Sequence, residues 1–115
     1  MSDCLFCKIA NCEIPTDKVY EDDLVAAFKD VNPLTPVHVL VVPKKHYENV
    51  VDGVPAEVLA AMVPAIDVVT EETGIDKTGF RCITNTGDDG GQSVHHLHVH
   101  VLGGRKLDPT AGEGK

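Results

Sequence analysis

Short apolar runs bounded by turn residues predict five strands, with one long helix between the third and the fourth. The runs occupy residues 19–20, 24–28, 37–42, 80–84 and 94–102. Runs of this kind, ended by Gly, Pro, Asn or Asp, are typical of strands. This order of elements has strands first, then a helix, and then two strands joined by a tight turn. It favours an α+β fold with an antiparallel sheet over a doubly wound parallel sheet.

Apolar residues at helical spacing predict that the long helix begins at Pro55 and ends before Gly74. They are Val58, Leu59, Met62, Val63, Ile66 and Val69. Proline suits the first turn of a helix, and glycine suits the position just past its end. Pro64 falls inside the helix, so we expect a kink or a local break there. A short helix is also predicted over residues 4–11, with Asp3 as its N-terminal cap.

The size and charge of the chain exclude several classes of protein. Its 115 residues suit one domain, which we place at residues 1–106, with a loose tail over residues 107–115. The formal net charge of −8 argues against a nucleic-acid or anionic membrane partner. No apolar run reaches the ~18 residues of a membrane span, and the N-terminus lacks the features of a signal peptide. We therefore expect a cytoplasmic protein with reduced cysteines.

Three histidines alternate with apolar residues in the last predicted strand. In a strand, His96, His98 and His100 would share one face, because side chains alternate with a period of two. Imidazole changes charge near neutral pH and serves as acid, base, nucleophile or metal ligand. At about 3.3 Å per residue, His96 and His100 would lie roughly 13 Å apart along the backbone. A ligand nitrogen, by contrast, lies about 2.0–2.1 Å from its zinc ion, so the ligands of one ion must converge. The row therefore suits an extended substrate better than a single ion.

The sequence around these histidines resembles a known signature. Residues 90–104, Gly-Gly-Gln-Ser-Val-His-His-Leu-His-Val-His-Val-Leu-Gly-Gly, resemble the motif of the histidine-triad (HIT) family, in particular its Hint branch of purine nucleoside phosphoramidases. Further similarity covers residues 4–9, 13–15, 19–22, 28–33 and 36–46 and stops near Arg105. The resemblance implies the HIT fold, with a five-stranded antiparallel sheet, one long helix and a short N-terminal helix. It also implies a homodimer whose sheets join, which would cover an edge of a small open sheet.

The resemblance further implies an activity. It implies ligands of the AMP or GMP type and hydrolysis of the phosphorus–nitrogen bond of purine nucleoside phosphoramidates, through a covalent nucleotidyl-histidine and with no cofactor required for catalysis. Two other functions stay open. One is another HIT activity, such as dinucleoside polyphosphate hydrolysis or nucleotidyl transfer, and the other is a nucleotide-binding scaffold with little turnover.

The catalytic residues are assigned from the motif and from imidazole chemistry. A neutral imidazole is a competent nucleophile at pH 7 when its other nitrogen is hydrogen-bonded, and we assign attack to His98. By resemblance, the carbonyl of His96 is the partner of that other nitrogen, His100 donates to the α-phosphate, and His38 orients the active-site imidazoles. Ser93 is expected to bond the phosphate or the leaving amine.

A second set of residues is predicted to bind the nucleotide. Gln92 and Ser93 follow a glycine turn that can aim backbone N–H groups at an anion. Asn85 stands on the other side of that turn, within reach of phosphate or ribose, and all three are equally typical of residues that cap local backbone. Asp30 matches the family's ribose-binding acid, with an ordinary loop acid as the alternative. The apolar walls of the purine pocket, each equally an ordinary core residue, match Leu5, Phe6, Ile9, Phe28 and Val31.

Four residues match a zinc site seen in some members of the family. Cys4 and Cys7 are three residues apart, on one side of the short predicted helix. With His46 and His96 they form an acceptable tetrahedral set, which we expect to hold a structural zinc ion closed to water. His96 would then support His98 through its backbone while its ring holds the metal. Packing of buried cysteines is the alternative.

One departure from the Hint pattern lies beside the triad. The residue before it is usually aromatic in this branch, and here it is His95. On strand alternation His95 points away from His96, so we leave it outside the site. The tail also lacks the tryptophan that is common after the Gly-Gly pair, so contacts to the leaving group are not carried over from the family.

Overall fold

The computed structural model describes residues 4–14 and 16–108. Within them the elements are α1 (Leu5–Ala10), β1 (Lys18–Glu21), β2 (Val25–Lys29), β3 (Val37–Pro43), α2 (Ala56–Thr73), α3 (Ile75–Thr78), β4 (Phe80–Ile83) and β5 (Val99–Gly103). The predicted cap Asp3 and most of the predicted tail lie outside the described residues. None of the described helices is both long and apolar enough to cross a membrane.

The strands form one antiparallel sheet in the order β1-β2-β3-β5-β4, which confirms the predicted α+β fold. The first three strands follow one another in space, and β5 is inserted between β3 and β4. In this register His38 of β3 stands opposite Leu102, and Leu40 stands opposite His100 of β5. Residues two apart on paired strands share a face, so the two histidines lie diagonally on the same side of the sheet.

Alternate residues of β3 pack into two different cores. Val39 and Val41 face α2, in a core that also contains Met62, Val69 and other apolar residues. On the opposite face, Leu40 and Val42 pack with residues from α1 and β2, which are Phe6, Ala10, Ala26 and Phe28. Helix α1 has only six residues, and the α1 face of the sheet also carries His38 and His100. This face is therefore where polar chemistry meets an apolar wall.

The predicted strand over residues 94–102 is too long, and the prediction that one strand carries all three histidines is wrong. β5 begins at Val99, so only His100 lies in it. The register that pairs Val41 with Val99 would place position 97 opposite Pro43, which has no N–H to extend the ladder. Leu97 is instead buried in a separate cluster with Tyr47 and Val58, and its N–H donates to the Tyr47 carbonyl at 2.6 Å.

The helices also differ from prediction in detail. Helix α2 continues through Pro64 without a break, because the carbonyl that the proline leaves without a partner belongs to Ala60 on the exposed side, where water can serve it. Its end at Gly74, with φ of 79°, is confirmed. Leu59 and Val63, expected on the apolar face, are 39% and 65% exposed.

One carboxylate holds the turn between β1 and β2. Asp22 Oδ1 accepts the N–H groups of Leu24 and Val25 at 2.8 and 2.9 Å, and the Tyr20 hydroxyl donates to Oδ2 at 2.8 Å. Partial burial alone would raise the pKa of Asp22, but these hydrogen bonds outweigh it and lower the pKa below its ordinary value. The ionised form is therefore the one that stabilises the fold.

Replacing this carboxylate should destabilise the protein in a pH-dependent way. Asp22→Ala is expected to lower the free energy of unfolding by about 1–2 kcal/mol at pH 7. Because the pKa is lowered on folding, this contribution is present above the unfolded pKa and is lost as pH falls through the folded one. Urea unfolding followed by circular dichroism at pH 7 and pH 3 measures the difference. The exposed neighbour Asp23→Ala is the control, and an equal deficit at both pH values would contradict the assignment.

Candidate active site

A cavity of about 450 Å³ opens on the α1 face of the sheet, beside β5. All five predicted apolar walls line it, and they are Leu5, Phe6, Ile9, Phe28 and Val31. Four predicted polar residues line it as well, namely Asp30, Ser93, His98 and His100. Sequence reasoning missed other lining residues, among them Lys29 at the end of β2 and the loop residues Thr16 and Asn32, since a loop residue carries no periodic signal of what it faces. The cavity thus has an apolar end and an imidazole end.

The geometry around His98 selects one tautomer of its ring. His98 is buried, and its Nδ1 lies 2.7 Å from the carbonyl oxygen of His96. A carbonyl only accepts, so Nδ1 carries the proton and Nε2 keeps its lone pair. The ring stands edge-on to Phe6, with centroids 5.0 Å apart. Thr84, which sequence reasoning missed, donates its hydroxyl to the His98 carbonyl at 2.9 Å and holds the backbone in place.

A chain of hydrogen bonds makes His100 a donor toward the cavity. The backbone N–H of Leu34 donates to His38 Nδ1 at 3.1 Å, so the proton of neutral His38 is on Nε2. That Nε2 lies 2.9 Å from His100 Nδ1 and 3.5 Å from an oxygen of Asp30. When His38 donates to Nδ1 of His100, the proton of neutral His100 is on Nε2. His100 can then donate to an anionic oxygen.

The glycine turn before the triad is held by Gln92. Its amide nitrogen donates to the carbonyls of Glu48 and Val94 at 2.6 and 3.2 Å, and its oxygen accepts the Gly87 N–H at 2.9 Å. Gly87 and Gly91 have φ of 74° and 82°, which only glycine adopts without strain. The Gln92 side chain is buried in these contacts and does not line the cavity, whereas the exposed Ser93 does.

Asn85, the other predicted contact near this turn, is half-buried in the loop after β4. It is not among the residues that line the cavity. The structure therefore brings Ser93 to the imidazoles, but not the side chains of Asn85 and Gln92. Both polar side chains come from a segment rich in turn residues, and such a segment does not reveal which of its members face inward.

The four predicted metal ligands converge at one point. The ligand atoms of Cys4, Cys7, His46 and His96 all lie within 4.8 Å of one another. His96 Nδ1 is 3.2 Å from Cys4 Sγ and 3.3 Å from Cys7 Sγ, and His46 Nδ1 is 3.3 Å from Cys7 Sγ. Bond lengths of about 2.3 Å to sulfur and 2.0–2.1 Å to nitrogen put such atoms about 3.5 Å apart around tetrahedral zinc. The set therefore fits zinc.

The contacts behind the two histidines leave their Nδ1 atoms directed at the centre of the four-ligand cluster. His96 Nε2 donates to the carbonyl of Pro43 at 2.9 Å, and His46 Nε2 lies 3.4 Å from the carboxylate of Glu48. A proton on Nε2 leaves Nδ1 as the ligand atom in both rings. Sequence reasoning missed Glu48, although a carboxylate two residues from a ligand histidine is a recognisable signal of such a partner.

In the absence of metal, burial shifts the pKa values of two of the ligands, His96 and Cys7, in opposite directions. It lowers the pKa of His96 from 6.5 to about 4, so this ring is neutral at pH 7. Burial, followed by the hydrogen bond with Cys4, raises the pKa of the Cys7 thiol from 9.0 to about 11. A metal ion must therefore displace a proton from Cys7, and its affinity falls as pH falls.

Comparison with known proteins agrees with this geometry. The profile of the HIT domain matches residues 11–107. The chain belongs to the HIT domain family. It is 45% identical over 108 residues to the purine nucleoside phosphoramidase of Escherichia coli (strain K12), with 91% of this chain and 90% of that protein covered.

Two further proteins are similar to this chain. The structure of a HIT family hydrolase from Clostridium thermocellum is 44% identical and superposes with a TM-score of 0.90, covering 96% of this chain and 98% of the other. The 14 kDa zinc-binding protein of Brassica juncea is 40% identical over 119 residues, with 96% of this chain and 100% of that protein covered. The family and the HIT fold expected from the motif are thus confirmed.

The metal centre predicts the zinc content of this HIT protein. Purified without chelator, the wild type should carry about one zinc ion per chain, since four ligands saturate a structural site. Cys7→Ser removes a ligand and should lower zinc affinity by more than about 10-fold, because even outer partners of metal ligands are worth about 10- to 100-fold. Elemental analysis measures the zinc bound per chain in the wild type and in Cys7→Ser. Cys82→Ser, at an exposed cysteine, is the control. Equal zinc contents of wild type and Cys7→Ser would contradict the centre.

Proposed function

We propose that this HIT protein hydrolyses the phosphorus–nitrogen bond of purine nucleoside phosphoramidates of the AMP–amine type. The observation that carries the proposal is the hydrogen bond that His98 Nδ1 donates to the His96 carbonyl. This hydrogen bond leaves Nε2 of a buried imidazole, which lines the cavity, as a nucleophile. The 45% identity to the purine nucleoside phosphoramidase of Escherichia coli supports the substrate class.

The first half of the proposed reaction transfers the nucleotide to His98. Nε2 attacks the α-phosphorus, the phosphorus–nitrogen bond breaks, and the nitrogen takes up a proton from solvent so that it leaves as the neutral amine. His100 donates to an oxygen of the phosphoryl group, whose negative charge it stabilises. Ser93, at the exposed mouth of the cavity, bonds the phosphate or the departing nitrogen.

The second half releases AMP. A water molecule attacks phosphorus, the bond to Nε2 breaks, and the water's proton returns to solvent in place of the one that the amine took up. The proton stays on Nδ1, which donates it to the His96 carbonyl throughout, so the imidazole returns to its starting tautomer. No step is routed through a cofactor, and zinc bound at the four-ligand centre would act only by holding protein groups in place.

Asp30 is assigned to the ribose and the apolar walls to the purine. Its Oδ1 accepts the N–H of Asn32 at 2.8 Å, which orients the carboxylate at the edge of the cavity, where it can accept from sugar hydroxyls. Phe28 and Ile9 line the apolar end, where a base is recognised by packing. Gln92 and Asn85 support the nucleotide through the backbone of the turn that they flank.

The partner proposed for this chain is a second copy. Strand β4 forms an edge of the sheet. Phe80 on this strand is 43% exposed, and Val63 on α2 is 65% exposed. Joining two sheets would cover such an edge and bury exposed apolar residues. We also propose that residues 1–106 form one domain and that the protein is cytoplasmic. We propose no nucleic-acid or membrane partner.

The nucleophile is tested by a single substitution. His98→Asn should lower the rate of AMP release from adenosine 5′-phosphoramidate by about 10³-fold or more, because no covalent intermediate forms. Chromatography of the released AMP measures it, with the exposed His95→Asn as control. Full activity of His98→Asn would refute the nucleophile. Binding of AMP without turnover by the wild type would favour a scaffold, and faster cleavage of dinucleoside polyphosphates would favour another HIT activity.

The hydrogen-bond chain through His38 predicts a different defect. His38→Phe removes the donor that lies 2.9 Å from His100 Nδ1, which weakens the preference for the His100 proton on Nε2 and with it donation to phosphate. Removal of one donor of this kind costs about 10²–10³ in kcat. Steady-state kinetics should therefore give a lower kcat with KM changed by less than about threefold. A rise in KM at unchanged kcat would assign His38 to substrate binding instead.

A further inference from the structure

The segment that carries the His96 carbonyl is not held by the sheet. β5 begins only at Val99, and upstream of it the His96 N–H donates to the Val94 carbonyl at 2.9 Å, two residues back. The next backbone bond of this segment runs from the Leu97 N–H to Tyr47. The Leu97 N–H belongs to the same peptide unit as the His96 carbonyl, so its bond to Tyr47 supports that carbonyl from one side. The support from the other side depends on how His96 itself is anchored.

His96 is anchored through its side chain. The ring is fully buried, Nε2 donates to the Pro43 carbonyl, and Nδ1 lies 3.2–3.3 Å from both Cys4 Sγ and Cys7 Sγ. Nδ1 has one lone pair, so without a metal only one thiol at a time can donate to it, and a thiol is a weak donor. A zinc ion would satisfy both sulfurs and the ring together.

We propose that the centre formed by Cys4, Cys7, His46 and His96 positions the catalytic imidazole. Zinc there fixes the ring of His96, and the peptide carbonyl of the same residue then fixes the tautomer and place of His98. This inference rests on the proposed role of His98 as nucleophile. The ligands are thereby positioning residues, and none of them touches the substrate.

Nucleotide binding should not depend on the centre to the same degree. Helix α1, which carries part of the cavity wall, has anchors of its own. Phe6 packs against Phe28 with ring centroids 5.5 Å apart, and Asn11 Nδ2 donates to the Lys44 carbonyl at 3.0 Å. Loss of metal should therefore disturb His98 more than the purine pocket, which separates a positioning role from a general structural one.

Cys4→Ser is the sharpest variant for a test. Cys4 is the N-cap of α1, and its Sγ accepts the Cys7 N–H. Serine is a favoured N-cap and keeps this acceptor, while removing the thiolate that zinc prefers. Cys12→Ser makes the same change at an exposed thiol outside the centre and is the matched control.

The experiment compares zinc-loaded wild type, chelator-treated wild type, Cys4→Ser and Cys12→Ser, with folding checked by circular dichroism. We expect kcat on adenosine 5′-phosphoramidate to fall about 10- to 100-fold in the two zinc-poor proteins. The Kd for AMP should change by less than about threefold, and added zinc should restore the chelated wild type. Histidine-labelled ¹⁵N spectra should lose the single protonated-Nδ1 state of His98 along with the metal.

Two results would overturn the inference. One is a kcat within about twofold of wild type in folded, zinc-poor protein, and the other is an equal loss of AMP affinity. If Cys4→Ser does not fold, the spectra of wild type decide, since zinc-loaded protein without a protonated His98 Nδ1 contradicts the proposal. Spectra and AMP binding do not require turnover. An inactive zinc-loaded wild type would therefore refute the proposed function while leaving this test intact.

Discussion

The hydrogen bond from His98 Nδ1 to the His96 carbonyl is the interaction on which the account depends. At 2.7 Å, inside a buried environment, it holds one proton on one nitrogen and leaves the other nitrogen free. In water an imidazole exchanges between tautomers, and either nitrogen is solvated. Here a backbone carbonyl fixes the tautomer in the folded protein, so the proposed nucleophile needs no rearrangement before it reacts.

The rest of the fold places the groups around that bond. Because β5 is inserted next to β3, His38 and His100 meet on the α1 face, and their contact orients a second proton toward the cavity. Helix α1 packs Phe6 edge-on against the His98 ring and brings Cys4 and Cys7 to the ring of His96. One short helix and two neighbouring strands therefore connect the candidate metal centre, the proposed nucleophile and the cavity.

The sequence predicted the strands and the family well, because apolar periodicity and the His-x-His-x-His motif are local signals. It failed where a single residue overrides periodicity. Pro43 at the end of β3 stops the ladder, so Leu97 turns into another cluster and the three histidines do not share a strand. The hydrogen bonds made by Gln92 and Leu34 could not be predicted either, because they involve loop residues whose contacts are defined only in the folded chain.

In the proposed reaction the nucleotide bonds to Nε2 of His98 because Nδ1 donates to a carbonyl. The direct measurement is ³¹P and ¹⁵N NMR of the covalent intermediate, trapped by rapid quench from adenosine 5′-phosphoramidate and histidine-labelled protein. We expect a phosphorus–nitrogen coupling to Nε2 of His98. A coupling to Nδ1 of His98, or to another histidine, would contradict it.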